Sequence, residues 1–213
     1  MIKEFQSIRP AGGFKVILAD PATDFDNWSA KGKIKNPSAH YDTMTIDEIK
    51  AMPVETLAAE DCVLFLWSVW PLVPHWNEII EAWGFQYKGL AWQWFKYNED
   101  TGKHSFGLGY GTRKNLEPCL LATRGKPSLK REIRDMFGIK SAKGAKSVRD
   151  FLEACPDDSI VAKRREHSRK PDEQYTRIET MFDGPYCELF ARQRRPGWSA
   201  WGNEVGKFTE AAE

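Results

Sequence analysis

Short apolar runs separated by polar stretches recur along this chain and predict a β-sheet. Six runs of four to seven residues have strand character: 16–19, 62–68, 89–95, 119–123, 160–163 and 187–191. Helical patterns lie between several of these runs, and this alternation is typical of βαβ units. The pattern therefore predicts an α/β fold with a mostly parallel sheet.

Three helix starts are readable from capping and proline signals. Thr45 with Glu48 three places on forms a capping box that predicts a short helix through Met52. Pro71 or Pro74 opens a second helix with an apolar face that ends at Gly84. The sequence Pro-Asp-Glu at 171–173 opens a third, with acidic residues in its first turn.

The first apolar run stops at Asp20-Pro21. Pro21 has no N–H to continue a ladder, so Asp20 is predicted to stand where a buried strand becomes a loop. In open α/β sheets this is the edge at which ligands bind. The alternative is that Asp20 merely caps a turn.

Further polar residues follow other predicted strands and suggest one common rim. Lys96, Arg124, Arg192 and the run 165–171 all fall just beyond strand ends. Three loop-like segments, 22–44, 98–114 and 126–145, are expected to leave the sheet at the edge that carries Asp20. Five of the nine tryptophans lie near these strand ends or in the loop after Asp20: Trp28, Trp67, Trp70, Trp92 and Trp94. Most should be core residues, and one or two are expected to offer a flat face to a base.

The length, hydrophobic content and cysteine spacing of the chain limit the classes of protein to which it can belong. A chain of 213 residues with 41% hydrophobic content suits one sizeable domain, which we assign to residues 1–213. The sequence has neither a long apolar run nor a signal-peptide pattern, so we expect a cytoplasmic protein that does not enter membranes. The four cysteines lie far apart, which argues against a zinc site or a disulfide framework.

Charge is unevenly distributed although the net charge is only +1. Residues 1–110 carry a net charge of −4 and residues 111–213 one of +5. The strongest excess runs from Arg124 to Arg149 and holds nine basic residues. Such a run is either a solvated surface or a contact for a polyanion such as nucleic acid.

Other chemistries find little support in the sequence. The glycines at 107–111 lack the phosphate-loop fingerprint, and no serine or cysteine nucleophile motif is present. His40, His75 and His104 show no metal-ligand spacing, so no metal is predicted.

Seven landmarks along the chain resemble the MT-A-type adenine-N6 methyltransferases. They are Ile-Leu-Ala-Asp-Pro at 17–21, His-Tyr-Asp-Thr-Met at 40–44, Phe-Leu-Trp at 65–67, Trp-Phe-Lys at 94–96, the run 117–125, Ser-Arg-Lys-Pro-Asp-Glu at 168–173, and Glu-Leu-Phe-Ala-Arg at 188–192 followed by Trp-Ser-Ala-Trp-Gly-Asn-Glu at 198–204. The resemblance implies a Rossmann-like fold with helices on both faces of the sheet. It also implies S-adenosylmethionine as the methyl donor and N6 of adenine in nucleic acid as the acceptor. Of the two polynucleotides, we expect DNA rather than RNA.

The resemblance also implies roles for individual residues. Asp20 and the backbone carbonyl of Pro21 would be catalytic, accepting the two N–H bonds of the adenine amine so that its lone pair faces the methyl group. Residues matched to cofactor contacts are Lys170, Arg192, Asn203 and Glu204. Residues matched to the acceptor pocket are Tyr41, Lys96, Glu117 and Arg165. We add Trp28 to this pocket as a candidate for the stacking ring.

One departure from the family signature leaves an alternative open. The family reads Asp-Pro-Pro-aromatic, whereas this chain reads Asp20-Pro21-Ala22-Thr23 and so lacks the aromatic that stacks on the base. Stacking contributes about 1 to 3 kcal/mol per base, and Phe25 or Trp28 is a candidate replacement. The alternatives are a catalytically silent relative that serves as a nucleic-acid platform or partner subunit, and a methyltransferase for a small molecule or protein.

Overall fold

A computed structural model describes residues 2–23, 43–98, 116–130, 158–166 and 169–208. The α-helices are α1 (Ile2–Ile8), α2 (Ile46–Lys50), α3 (Trp76–Ala82) and α4 (Glu173–Met181). The strands are β1 (Phe14–Ala19), β2 (Ala58–Trp67), β3 (Gln86–Tyr97), β4 (Leu116–Arg124), β5 (Ser159–Lys163), β6 (Tyr186–Leu189) and β7 (Trp198–Trp201). Short 3-10 helices at Val54–Thr56 and Trp70–His75 precede β2 and α3.

The described strands form one mixed sheet in the order β5-β3-β4-β2-β1-β6-β7. Four of its six pairings are parallel, and the two that involve β4 are antiparallel. All six predicted runs lie within or overlap strands. The sequence pattern did not predict β7, because the run Trp198–Trp201 has only four residues and is interrupted by Ser199, and it did not predict α1.

The direction of β4 corrects one expectation about the rim. Because β4 is antiparallel to β2, Arg124 at its end pairs with Cys62 near the start of β2. Arg124 and residues 126–130 therefore lie at the sheet edge opposite Asp20, and the prediction that they share its rim was wrong; residues 131–145 lie outside the described part of the chain. The same reversal brings the start of β4, with Glu117, to the Asp20 edge.

Helices cover both faces of the sheet, because alternate strand residues point to opposite sides. Ile49 of α2 and Ile80 of α3 are buried in one cluster with Ile17 of β1. Ile178 of α4 is buried in a second cluster with Leu18, the next residue of the same strand. The strand β1 is thus buried on both sides, and its end is a rigid platform for the residue that follows.

The predicted helix signals are confirmed. Thr45 and Glu48 form both hydrogen bonds of the capping box at the start of α2. The second helix is preceded by a 3-10 turn and ends before Gly84, which has the left-handed φ of +79°. α4 begins at Glu173, two residues after Pro171.

The thiols of Cys62, Cys119 and Cys187 are free and buried, as expected for small apolar residues. Cys155 lies outside the described residues. Within the described part of the chain, no helix is long and apolar enough to cross a membrane.

Candidate active site

Asp20 occupies the edge of the sheet that the sequence predicted for it. It follows the last residue of β1, between the parallel neighbours β2 and β6. The next residues are fixed by backbone hydrogen bonds, from Thr23 N–H to the Pro21 carbonyl at 2.9 Å and from Met44 N–H to the Ala22 carbonyl at 2.8 Å. The segment after Asp20 is therefore anchored to the residue that precedes Thr45 and α2.

A chain of alternating charges extends from Asp20 across the sheet edge. Lys170 Nζ donates to Asp20 Oδ2 at 2.6 Å and lies 3.5 Å from Glu117 Oε2. Lys96 of β3 pairs with the other oxygen of Glu117. The Lys170 side chain is 8% exposed. Its ammonium group is thus held between two carboxylates that arrive from β1 and β4.

The two carboxyl groups of this chain have shifted pKa values in opposite directions. Burial raises the pKa of Asp20 above its ordinary value, against the attraction of Lys170. Burial also raises the pKa of Glu117, but the attraction of Lys170 and Lys96 outweighs it and holds this pKa below the ordinary value. Asp20 is therefore the better proton acceptor of the pair.

Arg165 holds the backbone of Lys170 in place. Its Nη2 donates to the Lys170 carbonyl at 2.6 Å, and its Nη1 donates to Asp172 Oδ2 at 2.6 Å. Asp172 also pairs with Arg195 at 3.2 Å. These bonds fix the turn before α4 and so position the Lys170 ammonium; a direct contact of Arg165 with an acceptor stays a prediction.

A cavity of about 370 Å³ opens beside Asp20. Its lining comes from three separated parts of the chain: Asp20, Pro21 and Ala22; Thr43 and Met44; and Phe190, Arg192, Trp201, Asn203 and Glu204. Three of the predicted cofactor residues thus share this cavity with both predicted catalytic residues. Lys170 instead lines an adjoining hollow on the other side of Asp20.

The far wall of the cavity depends on two special backbone positions. Phe190, which follows β6, has a left-handed φ of +62°, a conformation that costs energy for a residue with a Cβ. Gly202 lies so close to the turn after β6 that a Cβ there would come within 2.6 Å of the Ala191 carbonyl oxygen. Arg192 Nε lies 2.9 Å from Glu204 Oε2, which ties the turns after β6 and β7 together.

Glu188 is a half-buried acid that the site prediction did not include. It lies on β6 beside Leu18 of β1 and accepts a hydrogen bond from the Tyr175 hydroxyl at 3.0 Å. With Asp20 and Lys170 it lines the adjoining hollow. Burial raises the pKa of Glu188 to about 7. The available signal was a single charged residue within the apolar run 187–191.

Trp28 and Tyr41, which were predicted for the acceptor pocket, lie outside the described residues, as does Phe25. Trp67 is buried and donates its indole N–H to Gln174 at 2.7 Å, while Lys170 lies over its ring at 5.5 Å from the centroid. Trp92 and Trp94 are also buried. Trp70, in contrast, is 36% exposed.

The site can bind an amine-bearing ligand by hydrogen bonds. Asp20 and Pro21, which provide a carboxylate and a backbone carbonyl as acceptors, line a cavity with aromatic and charged walls. Such a pair suits an NH2 group, which offers two N–H donors. The volume is within the usual range for small-molecule pockets.

Comparison with known proteins assigns this chain to one family. The family model described as MT-A70 matches residues 14–204. The chain is 29% identical to the type II methyltransferase M.MunI of Mycoplasma, over 92% of this chain and 79% of that protein. It is 30% identical to the N(6)-adenine-specific methyltransferase METTL4 of mouse, over 92% of this chain and 38% of that protein.

A third relative is the N(6)-adenosine-methyltransferase MT-A70-like protein of Arabidopsis thaliana, which is 29% identical over 91% of this chain and 24% of its own length. The chain thus spans most of M.MunI but well under half of the two larger proteins. The matched residues include β1 with Asp20, the turn that carries Lys170 and the wall formed by Arg192 and Asn203. The chain belongs to the MT-A70 family.

Proposed function

We propose that this protein is an S-adenosylmethionine-dependent methyltransferase that methylates N6 of adenine in nucleic acid, with DNA as the substrate. We further propose that residues 1–213 form a single Rossmann-like methyltransferase domain in the cytoplasm. The observation that carries the proposal is the placement of Asp20, which Lys170 holds at the mouth of a cavity shared with Pro21, Arg192 and Asn203. Family membership supports the reaction class.

Asp20 and Pro21 would bind the amine of the flipped adenine. Its nitrogen is a poor nucleophile because the lone pair is delocalised into the ring. Hydrogen bonds from its two N–H groups to Asp20 Oδ and the Pro21 carbonyl localise that lone pair and orient it. The Pro21 carbonyl already accepts from Thr23, but a carbonyl oxygen has two lone pairs and can accept twice.

The cavity residues fit S-adenosylmethionine. Phe190 and Trp201 provide aromatic surface for a nucleoside, while the Asn203 amide and the Glu204 carboxylate suit ribose hydroxyls. When bound, the cofactor would supply an electrophilic methyl group to N6 and would leave as the demethylated thioether. N6 then carries an excess proton, and Asp20 Oδ, with its raised pKa, is placed to accept it.

The charged residues beyond Asp20 would line the acceptor side. Lys96 and Glu117 continue the ion-pair chain away from the cavity, so they would contact the base or its sugar rather than the cofactor. An adenine within a duplex must leave the base stack to reach Asp20. The likeness to a type II methyltransferase favours DNA, and the relatives named adenosine methyltransferases make RNA the alternative to test.

A second candidate function is a catalytically silent nucleic-acid platform. The observation that favours it is the pair Ala22-Thr23, where the family has proline and an aromatic residue. Thr23 is 7% exposed and forms a bridge with Met44, so it offers no surface for stacking. A silent platform would bind polynucleotides without transferring a methyl group.

The variant Asp20→Asn tests the enzyme against the platform. Asn keeps the size of the side chain but loses the charge and the proton-accepting carboxylate, so methyl transfer from labelled S-adenosylmethionine to adenine-containing DNA should fall about 100-fold or more. Cofactor affinity, measured by calorimetry, should change by no more than a few fold. The matched control is Asp183→Asn, an exposed aspartate beyond α4.

Transfer by Asp20→Asn at the wild-type rate would remove Asp20 from the mechanism. Absence of transfer by the wild-type protein to any DNA or RNA, with polynucleotide binding retained, would establish the platform instead. Separate DNA and RNA oligonucleotides of the same sequence decide the substrate.

A further inference from the structure

Trp70 is an exposed aromatic residue at the sheet edge that carries Asp20. It begins the 3-10 helix that follows β2 and exposes 36% of its surface. Its indole Nε1 donates to the Leu116 carbonyl at 3.0 Å, directly before Glu117. The Trp76 ring lies behind it at a centroid distance of 5.6 Å. The ring is therefore held in place from two sides while part of it faces solvent.

Trp70 lies on the same rim as the chain of ion pairs that begins at Asp20. β4, whose first residue anchors the indole, is the second strand from β1 in the sheet. Two strand spacings correspond to about 10 Å, so Trp70 lies roughly this far along the rim from the end of β1. A base adjoining a flipped adenine lies within such a distance.

Two cations lie farther along the same rim. Lys163 ends β5 and Arg164 follows it, and both side chains are exposed. Arg164 N–H donates to the Tyr97 carbonyl at 2.9 Å, which fixes it at the end of β3. β5 is the fourth strand from β1, so these cations lie about 20 Å from the end of β1. At the duplex rise of 3.4 Å per nucleotide, this is about six nucleotides.

We propose that one strand of the nucleic-acid substrate runs along this rim from Asp20 towards β5, with a base flanking the target stacked on Trp70 and phosphates held by Lys163 and Arg164. An aromatic face followed by cations matches the alternation of base and phosphate in a polynucleotide. The proposal rests on the proposed function for the identity of the substrate. It assigns to Trp70 the stacking surface that Ala22-Thr23 does not provide beside the target.

Binding of a labelled single-stranded DNA of about 15 nucleotides, followed by fluorescence anisotropy, tests the proposal. Trp70→Ala should raise the Kd about 5- to 100-fold, whereas Trp70→Phe should stay near wild type because the ring is kept. In methylation assays, Trp70→Ala should raise KM and leave kcat close to wild type. Tyr87→Ala is the matched control, because Tyr87 is 44% exposed near the start of β3, at the opposite edge.

Arg164→Ala should weaken binding at low salt and reduce the slope of log K against log salt concentration by about 0.7. Trp70→Ala should leave that slope unchanged, since a base contact releases no counterion. Lys88→Ala is the matched control for the cation, because Lys88 is exposed near the start of β3. Cofactor affinity of every variant is measured as a test of intact folding.

Several outcomes would overturn the proposal. Equal weakening by Trp70→Ala and Trp70→Phe would assign the loss to the hydrogen bond with Leu116 rather than to stacking. Wild-type binding by Trp70→Ala or by Arg164→Ala would exclude the rim as the path. If the wild-type protein binds and methylates DNA while these variants match it, only this inference fails; if the wild type binds no polynucleotide, the proposed function fails as well.

Discussion

Glu188 has surroundings that differ from those of an ordinary exposed glutamate. It lies within β6, beside the buried residue Leu18 of β1, and its carboxylate oxygens accept from one tyrosine hydroxyl. Desolvation disfavours the charged form. Burial therefore raises the pKa of Glu188 to about 7, and nearby Asp20 adds to the effect.

The raised pKa predicts a specific pH dependence of stability. Between about pH 4.5 and 7 the folded state keeps the Glu188 proton that the unfolded state loses, so this residue lowers the free energy of unfolding as pH rises. Glu188→Gln should therefore be more stable than wild type at pH 8, by about 1 to 3 kcal/mol, with the gain vanishing near pH 4. Urea unfolding at both pH values measures this.

Glu60→Gln is the matched control, since Glu60 lies exposed on β2. It should show no comparable difference between the two pH values. A Glu188→Gln protein with the same pH dependence of unfolding as wild type would contradict a raised pKa for this carboxyl group.

Residue types alone predicted only part of the site. Asp20 was predictable because a proline ends an apolar strand directly after it, and strand ends meet at one edge. The ion pair between Asp20 and Lys170 was not, because 150 residues separate them and only the complete fold brings them to 2.6 Å. The sequence likewise shows Arg165 as a charge near the rim, but not that it bonds the Lys170 backbone.

At the scale of elements, strand positions were predictable and strand direction was not. An apolar run such as 119–123 identifies a buried strand whichever way it points. The antiparallel direction of β4 follows from its pairing with β2 and β3. That reversal moved Arg124 to the edge opposite Asp20, and it brought Glu117, which the family resemblance had matched to the acceptor pocket, within reach of Lys170.

The turn after β7 packs closely against the turn after β6, and this contact positions the cavity wall. A Cβ on residue 202 would meet backbone atoms of Ala191 at 2.6 and 2.7 Å, distances that side chains do not reach without movement. Gly202→Ala should therefore push Asn203 and Glu204 away from Phe190. We expect a loss of about 1 to 3 kcal/mol in stability and a cofactor Kd raised by tenfold or more. Calorimetry and urea unfolding measure the two effects.

Gly12→Ala is the control for Gly202→Ala. It adds backbone strain without crowding the cavity wall. Gly12 has a φ of +81° and no atom within 4 Å of an added Cβ, and it lies outside the cavity. Its substitution should lower stability and leave the cofactor Kd unchanged. If Gly202→Ala binds the cofactor as tightly as Gly12→Ala does, the close approach at Ala191 does not shape the site.

At the scale of the whole molecule, the cavity links distant parts of the chain. Its lining joins the segments at 20–22 and 43–44 to residues 190–204, and the strands behind these segments contribute to the cores on both faces of the sheet. A ligand bound there contacts both halves of the fold at once. Its binding energy therefore adds to the stability of the entire sheet rather than to one loop.

S-Adenosylmethionine should accordingly raise the Tm of the whole domain in one transition. At a concentration of 100 times its Kd, binding adds about 2.7 kcal/mol, which corresponds to roughly 5 to 10 °C for a domain of this size. Asn203→Ala removes one wall contact at an exposed position, so its Tm without ligand should match wild type. Its shift at the same cofactor concentration should be about 3 to 5 °C smaller, since tenfold weaker binding corresponds to about 1.4 kcal/mol. Lys88→Ala, at the opposite edge, should keep the full shift; a full shift in Asn203→Ala as well would place the cofactor elsewhere.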